Sequence, residues 1–205
     1  MTSTRIWTVP NLISIARLAC VPVFLWLLWA KDEPIWAATL LAVLGATDWV
    51  DGYIARHFDQ GSELGKILDP TADRVMLVAA GVALLVADLP VAVDIVIWIV
   101  LFREVVVAAA TIALAFAGAR RIDVVWAGKA GTFAIMFALP LFLWADALDD
   151  GAWRNFIWFA AWCFAIGGIG LGYYAAAKYI PAARVALQEG RANRMLGDSN
   201  AEVPR

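Results

Sequence analysis

Apolar residues fall into six long runs, at about Leu12 to Ala30, Ile35 to Arg56, Pro70 to Ala87, Val91 to Gly118, Gly128 to Leu148 and Phe156 to Lys178. The breaks between them read "KDEP", "HFDQGSELGKILD", "DLP", "GARRID" and "DALDDGAWR", each rich in charge, glycine or proline, the residues that end helices and turn chains. Each run approaches the roughly 20 residues that a helix needs to cross a hydrocarbon core. The pattern predicts an all-α integral membrane protein with six transmembrane helices. It forms one membrane-embedded domain over residues 1–205, of which 178–205 is a polar tail that begins amphipathic and then frays. Within the first run the uninterrupted stretch Leu18 to Ala30 has the length of a signal peptide, but Arg17 and the polar turn around Asn11 precede it and no small-residue cleavage site follows, so it is read as a span.

Composition supports the membrane reading. Of 205 residues, 63% are hydrophobic and only 17% charged, and the mean hydropathy is +0.75, which excludes an ordinary soluble domain. Cys20 and Cys163 both lie inside apolar runs and read as small hydrophobes, not as a disulfide or a metal pair. No nucleic-acid partner is expected.

Charge is nearly balanced overall but unevenly placed. On the side of the N-terminus lie Arg5, Arg56, Lys66, Arg74, Arg120, Arg121, Lys129, Lys178 and the tail arginines, whereas the opposite loops hold only Lys31 and Arg154. Positive charge stays inside, so both termini are predicted to be cytoplasmic in a multi-pass cell-membrane protein. Trp26, Trp29, Trp36, Trp144 and Trp153 at the far interface, and Trp7 and Trp126 at the near one, suit amphipathic rings that anchor a helix in the headgroup region.

One stretch resists the apolar pattern. "DWVDGYIARHFDQGSELGKILDPTADR", residues 48–74, places Asp48, Asp51, Asp69 and Asp73 at the cytoplasmic ends of the second and third spans. A carboxylate near hydrocarbon is costly, so four of them need a compensating positive charge. Asp48 and Asp51 are i,i+3 and Asp69 and Asp73 are i,i+4, which gives each pair a single helical face, and a short connection can bring the two faces together. Ligation by carboxylate oxygen suits hard divalent cations such as Mg2+ or Mn2+, and a pair of such ions commonly clamps phosphoryl oxygens. Gly52 and Ala55 leave the backbone open to close approach, Arg56 offers a planar fork for phosphate, and Gly65 loosens the turn before Asp69. The residues alone leave two other readings open: a pathway for divalent cations in a transporter, and a structural ion network with Arg56, Lys66 and Arg74. His57 reads as an interfacial side chain and is given no role.

The spacing Asp48-x2-Asp51-Gly52-x2-Ala55-Arg56-x8-Gly65-x3-Asp69-x3-Asp73 resembles, at every position, the signature of the CDP-alcohol phosphotransferases (CDP-alcohol phosphatidyltransferases). The six-span layout is similar to that family too, the last two spans only loosely. The resemblance implies transfer of a phosphatidyl or similar group from a CDP-linked donor to an alcohol, with release of CMP. It also implies two divalent cations, Mg2+ or Mn2+, on the four aspartates, and contact of Gly52, Arg56 and Ser62 with the cytidine diphosphate. Ala55 and Gly65 belong to the same donor site. Asp73, the last aspartate, would accept the proton of the acceptor hydroxyl, and a homodimer is expected.

Acceptor identity rests on fewer residues. Pro10 and Asn11 read as a helix start, with Asn a good cap, and related lipid synthases carry a similar Pro-Asn element near the nucleotide, which makes Asn11 a donor-site candidate. "FREV" places Arg103 and Glu104 within the fourth span, where adjacent residues diverge by about 100 degrees, so the two are not expected to share a helical face, and separate interhelical ion pairs are the structural alternative to a binding role. Arg103 and Lys129 are the candidate ligands of an acceptor phosphate. "RE" followed by "GK" and Thr132 resembles the phosphatidylglycerophosphate synthases, which implies glycerol 3-phosphate as acceptor and CDP-diacylglycerol as donor. CMP-forming cardiolipin synthases, whose acceptor is phosphatidylglycerol, share the same core, and phosphatidylinositol phosphate synthases are a third alternative.

Overall fold

The structure, a computed structural model, describes the backbone of residues 9–57, 65–116 and 126–201, with side chains over 11–47, at 68, and over 71–113 and 126–178. All the regular elements among the described residues are helices. They are α1 (Val9–Leu25), which continues as a π-helical turn over Trp26–Ala30, α2 (Pro34–His57), α3 (Gly65–Leu85), α4 (Val91–Phe116), α5 (Trp126–Asp146) and α6 (Ala152–Ala201).

Backbone economy explains this choice, because in hydrocarbon only a helix satisfies every N–H and C=O within one segment. Pro22 removes one donor from the α1 ladder, and one turn later the helix widens, with Lys31 N–H bonding to the Trp26 carbonyl at 3.1 Å. Asp32 and Asp88, each at φ 55°, close the tight links after α1 and α3 in the left-handed region that aspartate tolerates.

Four segments among the described residues are long and apolar enough to cross a membrane: Asn11–Ala30, Val91–Ala113, Trp126–Asp146 and Ala152–Lys178. Pro34–Thr47 adds a shorter apolar helix. The multi-pass membrane character expected from the hydropathy therefore stands.

α5 is the central helix: 56% of its apolar segment is buried, against 22% in α1 and in α4. It packs on α2, α3 and α6, while α4 leans on α3 and α6. Phe142 lies at the centre, fully buried, with the rings of Trp158 and Trp162 at 5.5 and 5.2 Å. Outer faces stay apolar, as Trp98, Phe102, Val105 and Ile112 show on α4, which suits lipid as the neighbour.

α5 and α6 approach so closely that Gly131 has no room for a side chain. A Cβ there would stand 2.8 Å from the Gly168 carbonyl and 2.9 Å from the Gly172 nitrogen. Small residues let backbones touch where no hydrophobic force acts between helices.

Four local expectations need correction. α3 starts at Gly65, upstream of Pro70, so Gly65 opens the helix instead of loosening a turn before it. α1 starts at Val9, which puts Asn11 inside the first turn and not at the cap. α6 stays helical to Ala201 instead of fraying after Lys178, because stretches such as "AARVALQEGRANRML" are rich in strong helix formers. Arg103 and Glu104 form an ion pair with each other, described below. Both cysteines are free, as expected.

Candidate functional site

The two halves of the aspartate motif sit on two helices. Asp48, Asp51, Gly52, Ala55 and Arg56 occupy the last turns of α2, and Gly65, Asp69 and Asp73 the first turns of α3. Helical backbone across both stretches keeps each aspartate pair on one face. The side chains of Asp48, Asp51, Ala55, Arg56 and Asp69 lie outside the described residues, as does Ser62 altogether.

Asp73 is described, and its partner is Arg17. Guanidinium Nη1 of Arg17 on α1 donates to Oδ1 of Asp73. The arginine is sealed, 1% exposed, while the side chain of Asp73 keeps 25% of its surface open. A charge that cannot reach water demands a partner of opposite sign, and this pair supplies it by a charge-assisted hydrogen bond.

Arg17 belongs to a stripe. Asn11, Ser14 and Arg17 recur every three residues on α1 and are 1%, 0% and 1% exposed. All three, with Thr71 and Asp73 of α3, take part in further polar interactions. α1 packs against both α2 and α3, so the stripe lies beside the helices that carry the two aspartate pairs. Asn11 was legible as a candidate, whereas Ser14 and Arg17 had only their threefold spacing to mark them.

The second cationic cluster is built differently. Arg103 Nη1 donates to Glu104 Oε1 at 2.8 Å, and both side chains are nine-tenths buried. Although their Cα–Cβ bonds diverge, the long arginine side chain folds back to its neighbour's carboxylate. Nη1 also lies 3.5 Å from Thr132 Oγ1 on α5, a long contact, and Thr132 itself donates to the Gly128 carbonyl at 3.1 Å. A Cβ on Gly172 would stand 2.8 Å from Arg103 Nε, so the guanidinium rests on the bare backbone of α6. Lys129 is exposed at the start of α5, one turn before Thr132 on the same face. The structure therefore leaves Lys129 open to a ligand, and places Arg103 in a junction of α4, α5 and α6 with its charge already countered.

Among the described residues no three His, Cys, Asp or Glu side chains come together as a metal set. Metal fit therefore rests on the chemistry of the four carboxylates, on the helical pairing of their positions, and on the open surface of Asp73. Hard divalent cations fit that donor set.

Known proteins place these features in one family. The sequence profile of CDP-alcohol phosphatidyltransferase matches residues 7–169. A CMP-forming cardiolipin synthase of Streptomyces coelicolor is 36% identical over 182 residues, covering 86% of this chain and 82% of the relative. A CDP-diacylglycerol–glycerol-3-phosphate 3-phosphatidyltransferase of Haemophilus influenzae is 35% identical over 141 residues, covering 67% of this chain and 76% of the relative. A protein of the same name from Shigella flexneri is 30% identical over 192 residues, with 88% and 97% covered. The profile spans the α1 stripe, both halves of the motif, and Arg103, Glu104 and Thr132, and the chain belongs to the CDP-alcohol phosphatidyltransferase family.

Proposed function

We propose that the chain transfers a phosphatidyl group from CDP-diacylglycerol to a hydroxyl of glycerol 3-phosphate and releases CMP. The observation that carries this reading is the complete aspartate motif, set on the last turns of α2 and the first turns of α3, two helices that both pack on α1 with its buried polar stripe. Asp48, Asp51, Asp69 and Asp73 would hold two divalent cations, Mg2+ or Mn2+. The chemistry such ions supply is neutralisation of charge on the diphosphate and on the departing CMP.

Asn11, Gly52, Ala55, Arg56, Ser62 and Gly65 line the donor site in this proposal. Asp73 takes the proton of the acceptor hydroxyl as its oxygen bonds to the phosphorus that carries the diacylglycerol, and the bond from that phosphorus to CMP breaks. Lys129, with Arg103 behind it, receives the acceptor phosphate. The positive-charge bias supports six spans with the active site on the cytoplasmic side, and a homodimer follows from family likeness.

A second reading has its own support. Glu104 counters Arg103, which leaves Lys129 as the exposed cation of the acceptor pocket among the described residues. One such charge suits a singly charged phosphodiester such as that of phosphatidylglycerol as well as a doubly charged monoester. The cardiolipin synthase relative points the same way. Incubating purified protein with CDP-diacylglycerol, Mn2+ or Mg2+ and each acceptor in turn decides between them. CMP release with glycerol 3-phosphate alone is the expected result, and release with phosphatidylglycerol alone reassigns the acceptor.

A further inference from the structure

Arg17 has no counterpart in the aspartate motif, yet it is among the most completely buried side chains described. It is the one charged residue of a helix that is largely exposed, where an arginine is expensive unless a partner repays its desolvation. The partner it has is Asp73, the most C-terminal of the motif aspartates, 56 residues further along the chain. A carboxylate two turns into a helix can adopt several rotamers, and few of them aim an oxygen at a given point. A planar guanidinium, itself immobilised by burial, selects among them.

We propose that Arg17 is a positioning residue for Asp73: by holding Oδ1 it fixes the rotamer in which the carboxylate meets the acceptor hydroxyl. This rests on the proposed transferase activity. Asp73 keeps a quarter of its side-chain surface exposed while Oδ1 is held by a buried guanidinium, and a general base held in this way stays in register with a bound hydroxyl. Asn11 and Ser14, in line with Arg17 and equally buried, extend the same wall and fix the rotation of α1 that delivers the guanidinium.

The test uses full-length protein in detergent with Arg17→Lys, Arg17→Gln, Asp73→Asn and the Arg17→Gln/Asp73→Asn double variant. CMP release gives kcat and the KM for CDP-diacylglycerol, and thermal unfolding in EDTA reports the pair without metal. Arg17→Gln is expected to lower kcat by about tenfold or more, since small misplacements of reacting groups cost on that order. Its donor KM is expected to stay within about twofold, because uniform binding is untouched.

Arg17→Lys keeps the charge but not the fork, so its kcat should fall between wild type and Arg17→Gln. In EDTA the double variant should lose less stability than the sum of the single variants, the signature of two groups in direct contact. A folded Arg17→Gln with wild-type kcat, a loss confined to KM, or additive losses in EDTA overturns the proposal. If Arg17→Gln does not fold, Arg17→Lys decides alone: reduced kcat at unchanged KM supports positioning, and wild-type kcat overturns it. Wild-type protein that releases no CMP overturns the transferase reading and this inference together, whereas active wild type with indifferent Arg17 variants overturns only the inference.

Discussion

Among the described residues two arginine side chains, those of Arg17 and Arg103, are nine-tenths or more buried in apolar helices, and they are satisfied in opposite ways. Arg17 reaches from α1 to Asp73 on α3, while Arg103 turns back to Glu104, the next residue on its own helix. A local pair can form as soon as α4 is helical. The distant pair exists only after α1 and α3 have docked, so it ties tertiary assembly to the geometry of the motif. The distant pair thus engages a motif aspartate, whereas the local one sits in a three-helix junction where Thr132 and the bare backbone at Gly172 complete its surroundings.

The strongest way to break this comparison is Glu104→Ala. It leaves a nine-tenths buried guanidinium without its counter-charge, and removing one partner of a buried pair costs about 3–5 kcal/mol. Unfolding in detergent should shift accordingly, while kcat per folded molecule stays near wild type. A stable Glu104→Ala protein with a large loss of turnover would move the Arg103 pair into the active site and remove the contrast.

A smaller effect comes from the glycines that let the junction close. Gly131→Ala forces a Cβ to within 3 Å of the α6 backbone at Gly168 and Gly172, and overpacking of this kind costs about 1–3 kcal/mol. Gly167→Ala, on the same helix as Gly168 but facing open space, should change stability by less than about 1 kcal/mol. Equal losses in the two variants, read by thermal unfolding, would show that the α5–α6 approach is not what holds Arg103 in place.

Much of this was legible in the sequence for physical reasons. Hydropathy runs reveal helices because lipid forces backbone bonds to close within a segment, and the aspartate spacing reveals a site because carboxylates in such surroundings need a reason. What escaped is long-range or depends on side-chain reach. A lone Arg17 does not announce a partner on another helix, although the Asn11, Ser14, Arg17 spacing marks one face of α1. Arg103 and Glu104 diverge on a helical wheel, but an arginine side chain is long enough to cancel that divergence. Asn11 resembles a cap because the apolar run opens at Leu12, three residues past Val9, where α1 begins. Helix continuation to Ala201 was hidden by polarity, since the absence of an apolar run ends a membrane span but not a helix.

The central claim is that the motif on α2 and α3 is a metal-dependent transferase site. The most direct measurement is CMP release from CDP-diacylglycerol by purified wild-type protein, before chelation, in EDTA, and after Mn2+ or Mg2+ is restored. The account predicts release that EDTA abolishes and either ion restores. Release that persists in EDTA would contradict it, and so would protein that releases no CMP but moves divalent ions across reconstituted vesicles.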